Sequence, residues 1–362
     1  MKKVLFIDRD GTIIIEPANE QVDTIENFSF LPGVITALSR IARETDFELV
    51  MVTNQDGLGT KSFPEETFWP SHKKMLQILK GECVEFAEIF IDRTFPEENA
   101  PSRKPGIAML TKYLSQGIDL DSSFVIGDRI SDLGLAKNLG CRAIFISNQK
   151  HPDAIFNTTC WDDIVKYLVS LPRTASIERK TKETSVNVDL NLDGPGRSSI
   201  TTGIGFFDHM LDQIARHAEI DLNIAATGDL RVDSHHLIED VAITLGEAVR
   251  KALGSKKGIS RYGFLIPMDD SLAQVAIDFS GRPWLVWNVK FKREMIGDMP
   301  SEMIFHFFKS FSDNAECNLN VKAEGENDHH KAEAVFKAFA RAFGMAIKKT
   351  GNYIVPSTKG SL

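Results

Sequence analysis

Residues 4–12, VLFIDRDGT, decide the fold of the first part of the chain. An apolar run that ends in Asp8 and Asp10 is typical of a buried strand whose carboxyl end carries acidic side chains. Further apolar runs follow, separated by segments with helical periodicity, and this alternation predicts a parallel α/β sheet with helices on both faces. The predicted strands after the first lie at 47–53, 88–92, 123–127 and 142–147.

The composition of the chain excludes several classes of protein. With 362 residues, of which 43% are hydrophobic and 25% charged, it has the profile of a globular protein with two domains. A net charge of -8 without a basic stripe argues against nucleic-acid partners. No apolar run approaches the roughly 20 residues of a membrane span. Because we find neither a signal peptide nor a Cys-x-x-Cys pair, we expect a cytoplasmic protein that acts on small molecules.

An internal repeat distinguishes the second part of the chain from the first. A short polar segment predicts a boundary between two domains, at 1–173 and 174–362. Residues 217–241 parallel residues 314–336, and each copy predicts a strand, a turn and a helix that begins at a histidine pair. The duplication predicts an α+β domain of sheets and helices with a pseudo-twofold axis.

The acidic strand end belongs to a set of residues suited to phosphoryl transfer. Asp8 can attack phosphorus to give an aspartyl-phosphate, while Asp10 can protonate the leaving group and then activate water. Side chains that can hold phosphate oxygens follow later strands, at Thr53, Asn54 and Lys104. Asp128 completes a predicted Mg²⁺ site with Asp8 and Asp10. Singly, such residues are commonly turns, caps or surface charges, and their joint occurrence at strand ends favours a site.

This set resembles the haloacid dehalogenase superfamily of phosphatases over residues 4–140. The absence of an insertion large enough for a big cap domain favours small, accessible phosphomonoesters. Related histidinol-phosphatase domains carry a zinc loop of three cysteines and a histidine, where this chain has Asp92, Thr94, Ala100 and Ser102. Because none of these is a typical zinc ligand, we predict no zinc here and a loop held by proline and polar contacts.

Two His-His-x-x-Glu motifs begin the predicted helices of the repeat, and a single histidine lies upstream of each. Residues three or four apart share a helix face, so each motif clusters its potential ligands. The predicted metal ligands are His209, His235, His236, Glu239, His306, His329, His330 and Glu333. This set suits two six-coordinate ions of manganese, zinc or iron with open positions, which favours catalysis. The spacing leaves open which histidine serves which ion.

The segments around these ligands resemble imidazoleglycerol-phosphate dehydratase over nearly all of residues 176–362. They lie at 179–184, 205–213, 280–283, 306–310 and 356–360. Joined to a phosphatase, they resemble the bifunctional family of histidine biosynthesis. The resemblance implies dehydration of imidazoleglycerol phosphate with two Mn²⁺ per active site. It also implies Mg²⁺-dependent hydrolysis of L-histidinol phosphate by the first domain.

The resemblance further implies the roles of individual residues in the second domain. Glu183 is the candidate for proton transfer. The candidates for binding the substrate phosphate are Arg261, Arg282, Ser357 and Lys359. The family assembles trimers into 24-subunit particles with sites at subunit boundaries, so a large homo-oligomer is expected.

Alternative functions remain open at this point, because a fold alone does not choose a substrate. The first domain could be a sugar-phosphate phosphatase of the same superfamily. The second domain could be a dinuclear metallohydrolase or a metal-binding assembly module without catalytic activity. An elimination assay would distinguish these alternatives from a dehydratase.

Overall fold

The chain forms two compact units, Met1–Leu171 and Pro172–Leu362. The structure, a computed structural model, describes residues 2–18, 20–115, 117–229, 233–351 and 353–357, with the backbone alone at 264–267. Among these residues, no helix combines the length and the apolar composition needed to cross a bilayer.

The first unit contains one sheet of six parallel strands in the order β3-β2-β1-β4-β5-β6. Its strands are β1 (Lys3–Ile7), β2 (Phe47–Asn54), β3 (Glu88–Asp92), β4 (Phe124–Gly127), β5 (Arg142–Ile146) and β6 (Phe156–Thr158). The predicted parallel sheet is confirmed, and β6 extends one edge beyond the predicted strands.

Helices cover both faces of this sheet, which is why its strands are continuously apolar. Leu5 and Ile7 face one core, with residues of the first, second and fourth helices, whereas Val4 and Phe6 face a second core with residues of the third. The helices are α1 (Val34–Glu44), α2 (Glu65–Gly81), α3 (Ile130–Leu139) and α4 (Trp161–Ser170). Short 3₁₀ segments lie at Pro96–Glu98 and Ala108–Leu114. All strand carboxyl ends therefore meet at one edge, where the predicted acidic residues lie.

The second unit contains two four-stranded sheets with equivalent connectivity. In β7-β8-β10-β9 and β11-β12-β16-β13, two antiparallel pairings are followed by a parallel one. The strands are β7 (Thr174–Lys180), β8 (Thr184–Asn191), β9 (Ser198–Thr201), β10 (Asp221–Gly228), β11 (Tyr262–Met268), β12 (Ser271–Asp278), β13 (Trp284–Val289) and β16 (Asn318–Glu324). A small separate pair is formed by β14 (Met295–Ile296) and β15 (Met299–Pro300). The predicted duplication is confirmed.

Four helices share a single core with the inner faces of both sheets. They are α5 (Gly205–Ala218), α6 (His235–Leu253), α7 (Glu302–Ala315) and α8 (Asp328–Ile347). α6 packs on β7 and β8, and α8 packs on β11 and β12. However, α6 also packs against α7, and α5 against α8. Helices of one repeat therefore contact helices of the other, which brings distant histidines together.

Candidate functional sites

Asp8 directly follows β1 and lies buried beside Lys104. The ammonium nitrogen of Lys104 is 2.7 Å from Oδ1 of Asp8 and 2.7 Å from Oδ1 of Asp132. One buried cation thus serves two buried carboxylates, and burial raises the pKa of Asp8 to about 8. The two carboxyl groups share a single positive charge, so a bound cation would stabilise the ionised form of Asp8.

A three-carboxylate cluster at the strand ends fits such a cation. Ligand oxygens of Asp8, Asp128 and Asp132 all lie within 4.8 Å of one another. Mg²⁺ prefers oxygen ligands of this kind. Burial also raises the pKa of Asp128 to about 6, a second sign of uncompensated charge. Glycines leave room for these carboxylates, because a Cβ at Gly11 would lie 2.0 Å from Asp128 and one at Gly127 would lie 2.2 Å from Asp132.

Asp10 is hydrogen-bonded to two residues that are not among the predicted site residues. Its Oδ1 accepts a hydrogen bond from Arg9 at 2.7 Å, and its Oδ2 accepts one from Gln55 at 2.5 Å. The hydroxyl of Thr53, which is predicted to hold phosphate oxygens, lies 3.5 Å from Oδ2 of Asp10. Arg9 and Gln55 are buried. Arg9 lies inside the Asp-x-Asp motif and Gln55 lies just beyond β2, and these positions are the sequence signals that could have identified both residues. In this arrangement Asp132 joins Asp8 and Asp128, while Asp10 is oriented by Arg9 and Gln55.

A pocket of about 110 Å³ opens beside these residues. Its lining includes the predicted Asn54, which accepts a hydrogen bond from the backbone N–H of Lys104 at 3.1 Å. The titratable side chains of its lining are mainly acidic, with five carboxyl groups, at Asp8, Asp10, Glu16, Glu20 and Asp56, and two basic groups, at Lys104 and Arg129. The lining of the pocket is therefore predominantly acidic.

Hydrogen bonds close the loop at the positions where related domains hold zinc. Oδ1 of the buried Asp92 accepts from the N–H of Thr94 at 3.0 Å and from its hydroxyl at 2.5 Å. Oδ2 of Asp92 accepts from the hydroxyl of Ser102 at 2.5 Å. Ala100 has no polar side chain. The closed loop leads directly into Lys104.

In the second unit, His235, Glu239 and His306 form one candidate metal centre. Nε2 of His235 and Nδ1 of His306 lie 3.2 and 3.0 Å from Oε1 of Glu239. The ligand atoms of the three residues lie within 4.8 Å of one another. His235 and Glu239 belong to α6, and His306 belongs to α7 of the other repeat. Two imidazoles and a carboxylate fit a transition metal such as manganese, zinc or iron.

His209, His329 and Glu333 form the corresponding group on α5 and α8. Nε2 of His209 and Nε2 of His329 lie 3.8 and 3.9 Å from the oxygens of Glu333. Nζ of Lys337 is 2.9 Å from Oε1 of Glu333 and partly compensates its charge. Each single histidine therefore joins the motif of the opposite repeat, an arrangement that the spacing alone left open.

The second histidine of each motif contacts an acid at the tip of a hairpin. Nε2 of His236 lies 3.4 Å from Oε2 of Glu183, between β7 and β8. Nδ1 of His330 lies 2.6 Å from Oδ1 of Asp270, between β11 and β12. Asp270 is not among the predicted site residues. A sequence alignment of the two hairpins would have shown that Asp270 corresponds to Glu183.

The residues predicted to bind the substrate phosphate are only partly brought together. Arg261 binds Asp278 through two nitrogens, at 2.5 and 3.0 Å, and donates to the carbonyl of Pro356 at 2.7 Å. These contacts fix the segment that leads to the half-buried Ser357. Arg282 lies in an exposed turn before β13. Lys359 lies outside the described residues.

Family models match both units of the chain. Imidazoleglycerol-phosphate dehydratase matches residues 202–343, Polynucleotide kinase 3 phosphatase matches residues 3–134, and HAD-hydrolase-like matches residues 101–169. Among solved structures, imidazoleglycerol-phosphate dehydratase from Staphylococcus aureus is 36% identical, with a TM-score of 0.45, covering 49% of this chain and 99% of its own.

Curated relatives match the whole chain. The histidine biosynthesis bifunctional protein HisB of Spirosoma linguale is 56% identical over 382 residues, with 100% of both chains covered. HisB of Bacteroides fragilis is 56% identical over 374 residues, again with 100% of both chains covered. The chain therefore belongs to the family of the histidine biosynthesis bifunctional protein HisB, and it is an enzyme that joins a phosphatase to a carbon–oxygen lyase of the imidazoleglycerol-phosphate dehydratase type.

Proposed function

We propose that the first unit hydrolyses L-histidinol phosphate to L-histidinol and phosphate. The observation that carries this proposal is the buried ion pair of Asp8 with Lys104, which orients one carboxylate in the lining of the pocket. Asp8 attacks phosphorus, and Asp10 gives a proton to the departing alcohol oxygen. Asp10 then takes a proton from the water that splits the aspartyl-phosphate. Mg²⁺ held by Asp8, Asp128 and Asp132 would screen the charge of the phosphate.

The acidic lining of the pocket supports histidinol phosphate over a sugar phosphate. L-Histidinol phosphate carries an ammonium group and an imidazole, whereas the uncharged body of a sugar phosphate gains nothing from nearby carboxylates. Glu16 is paired with Arg129 at 2.5 Å, and Asp56 is paired with Arg103 at 3.0 Å. Glu20 lies 3.9 Å from the same Arg129, but its side chain is 72% exposed, so it is the carboxylate of the three most open to a cationic substrate.

The substrate preference can be tested with purified protein and Mg²⁺. We expect kcat/KM to be at least about tenfold higher for L-histidinol phosphate than for a hexose phosphate. Glu20→Gln should raise KM for histidinol phosphate alone, while Glu26→Gln, at an exposed position outside the pocket lining, should change neither substrate. Faster turnover of the hexose phosphate would instead identify a sugar-phosphate phosphatase.

We propose that the second unit dehydrates imidazoleglycerol phosphate to imidazole acetol phosphate. The observation that carries this proposal is the pair of similar histidine–carboxylate clusters, each of which contains residues of both repeats. Two Mn²⁺ ions held by these clusters would bind the substrate imidazole and ease removal of an unacidic C–H hydrogen. Glu183 moves that proton, and its contact with His236 keeps its carboxylate beside the clusters. The substrate phosphate is bound by Arg261, Arg282, Ser357 and Lys359.

We further propose that the enzyme works in the cytoplasm as a large homo-oligomer of 24 copies. The side chains of Glu183 and His236 are 65% and 61% exposed in the single chain. A candidate catalytic acid and a candidate metal ligand rarely act at so open a surface, because water weakens their interactions. A neighbouring copy of the chain could cover them.

An elimination assay separates the dehydratase from a dinuclear metallohydrolase or a metal-binding module. The protein is stripped with a chelator, Mn²⁺ is restored, and imidazole acetol phosphate is measured directly. We expect activity to return with about two Mn²⁺ per chain. The assay is run on Asp8→Asn, so that phosphatase activity does not remove the product. A hydrolytic product would indicate a metallohydrolase, and Mn²⁺ uptake without turnover would indicate a binding module.

A further inference from the structure

The turn that carries Glu183 is linked to α6 by a chain of hydrogen bonds that ends on Asp240. Asp240 follows Glu239 in the sequence and is 8% exposed. Its Oδ1 accepts from Nε of Arg179 at 2.7 Å, and its Oδ2 accepts from the hydroxyl of the buried Thr184. Arg179 and Thr184 lie on the two strands of the hairpin, β7 and β8. Asp240 therefore holds both strands on either side of the turn.

The direction of each hydrogen bond in this chain follows from the chemistry of its end group. An ionised carboxylate only accepts, so the hydroxyl of Thr184 must donate to Asp240. The contact of 2.9 Å between the hydroxyls of Thr184 and Thr181 must then be donated by Thr181. The oxygen of Thr181 in turn accepts the N–H of Glu183 at 3.2 Å and the N–H of Thr184 at 3.0 Å. The backbone of Glu183 is thus the last member of an ordered chain that starts at Asp240.

The second repeat lacks this chain, although it forms the same hairpin on the same kind of helix. Glu333 is followed by Ala334, where Glu239 is followed by Asp240. Ser271 begins β12 as Thr184 begins β8, but among the described residues its buried hydroxyl has no hydrogen-bond partner. The hairpin and its packing on the helix therefore do not require the carboxylate. Its presence in only the repeat that carries Glu183 indicates a role in the function of that turn.

We propose that Asp240, acting through Thr184 and Thr181, is a positioning residue that fixes the proton-transfer carboxylate of Glu183 against α6. The inference rests on the proposed role of Glu183. Since Glu239 is the neighbour of Asp240 on α6, the same residue sets the distance between the candidate metal centre and the proton-transfer group. Loss of these hydrogen bonds should slow the proton transfer and leave the binding of metal and substrate unchanged.

The test removes single hydroxyls from the full chain in the presence of Mn²⁺. Thr184→Val keeps the shape of the side chain and breaks the link to Asp240, while Thr184→Ser retains the hydroxyl. Thr181→Val breaks the same chain at an exposed position, where a failure to fold is not expected. Thr244→Val is the matched control, because within the described part of the chain the buried hydroxyl of Thr244 bonds only the backbone carbonyl of Asp240, at 2.6 Å. Glu183→Gln tests the proposed function itself.

We expect both Thr184→Val and Thr181→Val to lower kcat for dehydration by about ten- to a hundredfold, with KM and Mn²⁺ content unchanged. Thr184→Ser should restore kcat to within about threefold, and Thr244→Val should resemble the wild type. Phosphatase activity of the same proteins reports their concentration, and their Mn²⁺ content reports whether the second unit is folded. If Thr184→Val and Thr181→Val keep wild-type kcat while Glu183→Gln loses it, the positioning role is wrong and the role of Glu183 stands. If Thr181→Val loses Mn²⁺ together with kcat, the hydrogen bonds only hold α6 in place, and the proposal is overturned. If Glu183→Gln keeps full activity, the proposed function fails and this inference fails with it.

Discussion

Nδ1 of His306 lies 3.0 Å from Oε1 of Glu239, although the two residues belong to different repeats of the second unit. The crossing arises because α6 packs against α7, and α5 against α8. Neither repeat holds a complete three-residue centre by itself. The duplicated sequence therefore forms its two candidate clusters only when both repeats fold together.

This crossing predicts which histidines share an ion. His306→Ala should weaken the binding of one metal ion by about a hundredfold or more, because it removes a direct ligand. The double variant with His235→Ala should lose no further ion, whereas the double variant with His329→Ala should also lose the second ion. Mn²⁺ per chain is measured by elemental analysis after dialysis, with His151→Ala in the first unit as the control. Loss of both ions from His306→Ala with His235→Ala would contradict the crossed assignment.

The buried group around Lys104 predicts a large effect on stability. Lys104→Met leaves Asp8 and Asp132 buried without their shared cation, so the free energy of unfolding of the first unit should fall by about 3–5 kcal/mol. Lys80→Met removes an exposed ion pair with Glu85 and should cost less than about 1 kcal/mol. Urea unfolding of the full chain without divalent ions measures both. Equal losses in the two variants would refute the buried ion pair.

His72 predicts an acid sensitivity of the first unit. The residue is 2% exposed and stacks on Phe68, and burial together with the charge of Arg9 lowers its pKa to about 4. Between about pH 6.5 and 4 the unfolded chain binds the extra proton, so stability is present above this window and is lost as the pH falls through it. The loss by pH 5 should be about 2 kcal/mol.

Substitution of His72 isolates this contribution. His72→Gln should unfold with a smaller difference in free energy between pH 7.5 and pH 5 than the wild type, whatever its stability at neutral pH. His151→Gln, at a partly exposed position, serves as the control. An unchanged pH dependence in His72→Gln would show that other groups cause the acid sensitivity.

The loop closed by Asp92 predicts a phosphatase that needs no zinc. Asp92→Ala removes the acceptor shared by Thr94 and Ser102, and it should lower the free energy of unfolding by about 1–3 kcal/mol. Treatment of the wild-type chain with a zinc chelator, followed by added Mg²⁺, should leave phosphate release unchanged. Stoichiometric zinc in residues 1–171, expressed alone, would contradict this account.

Much of the fold could be predicted from the sequence, because its patterns are local. The apolar strand before Asp8 and the histidine pair at His235 each follow from a short run of residues. The crossed ligand groups could not be predicted, since Glu239 lies four positions from His235 and three from His236, and only helix packing chooses between them. Likewise, the ion pair of Lys104 with Asp132 could not be predicted, because it joins a distant loop to the first turn of α3.

The central claim is that one chain carries two independent active sites, and two variants measured in both assays test it directly. Asp8→Asn should reduce phosphate release from L-histidinol phosphate by at least about a thousandfold and leave dehydration of imidazoleglycerol phosphate intact. Glu183→Gln should reduce dehydration by roughly a hundred- to ten-thousandfold and leave phosphate release intact. If either variant loses both activities while the protein stays folded and assembled, the account of two separate sites is wrong.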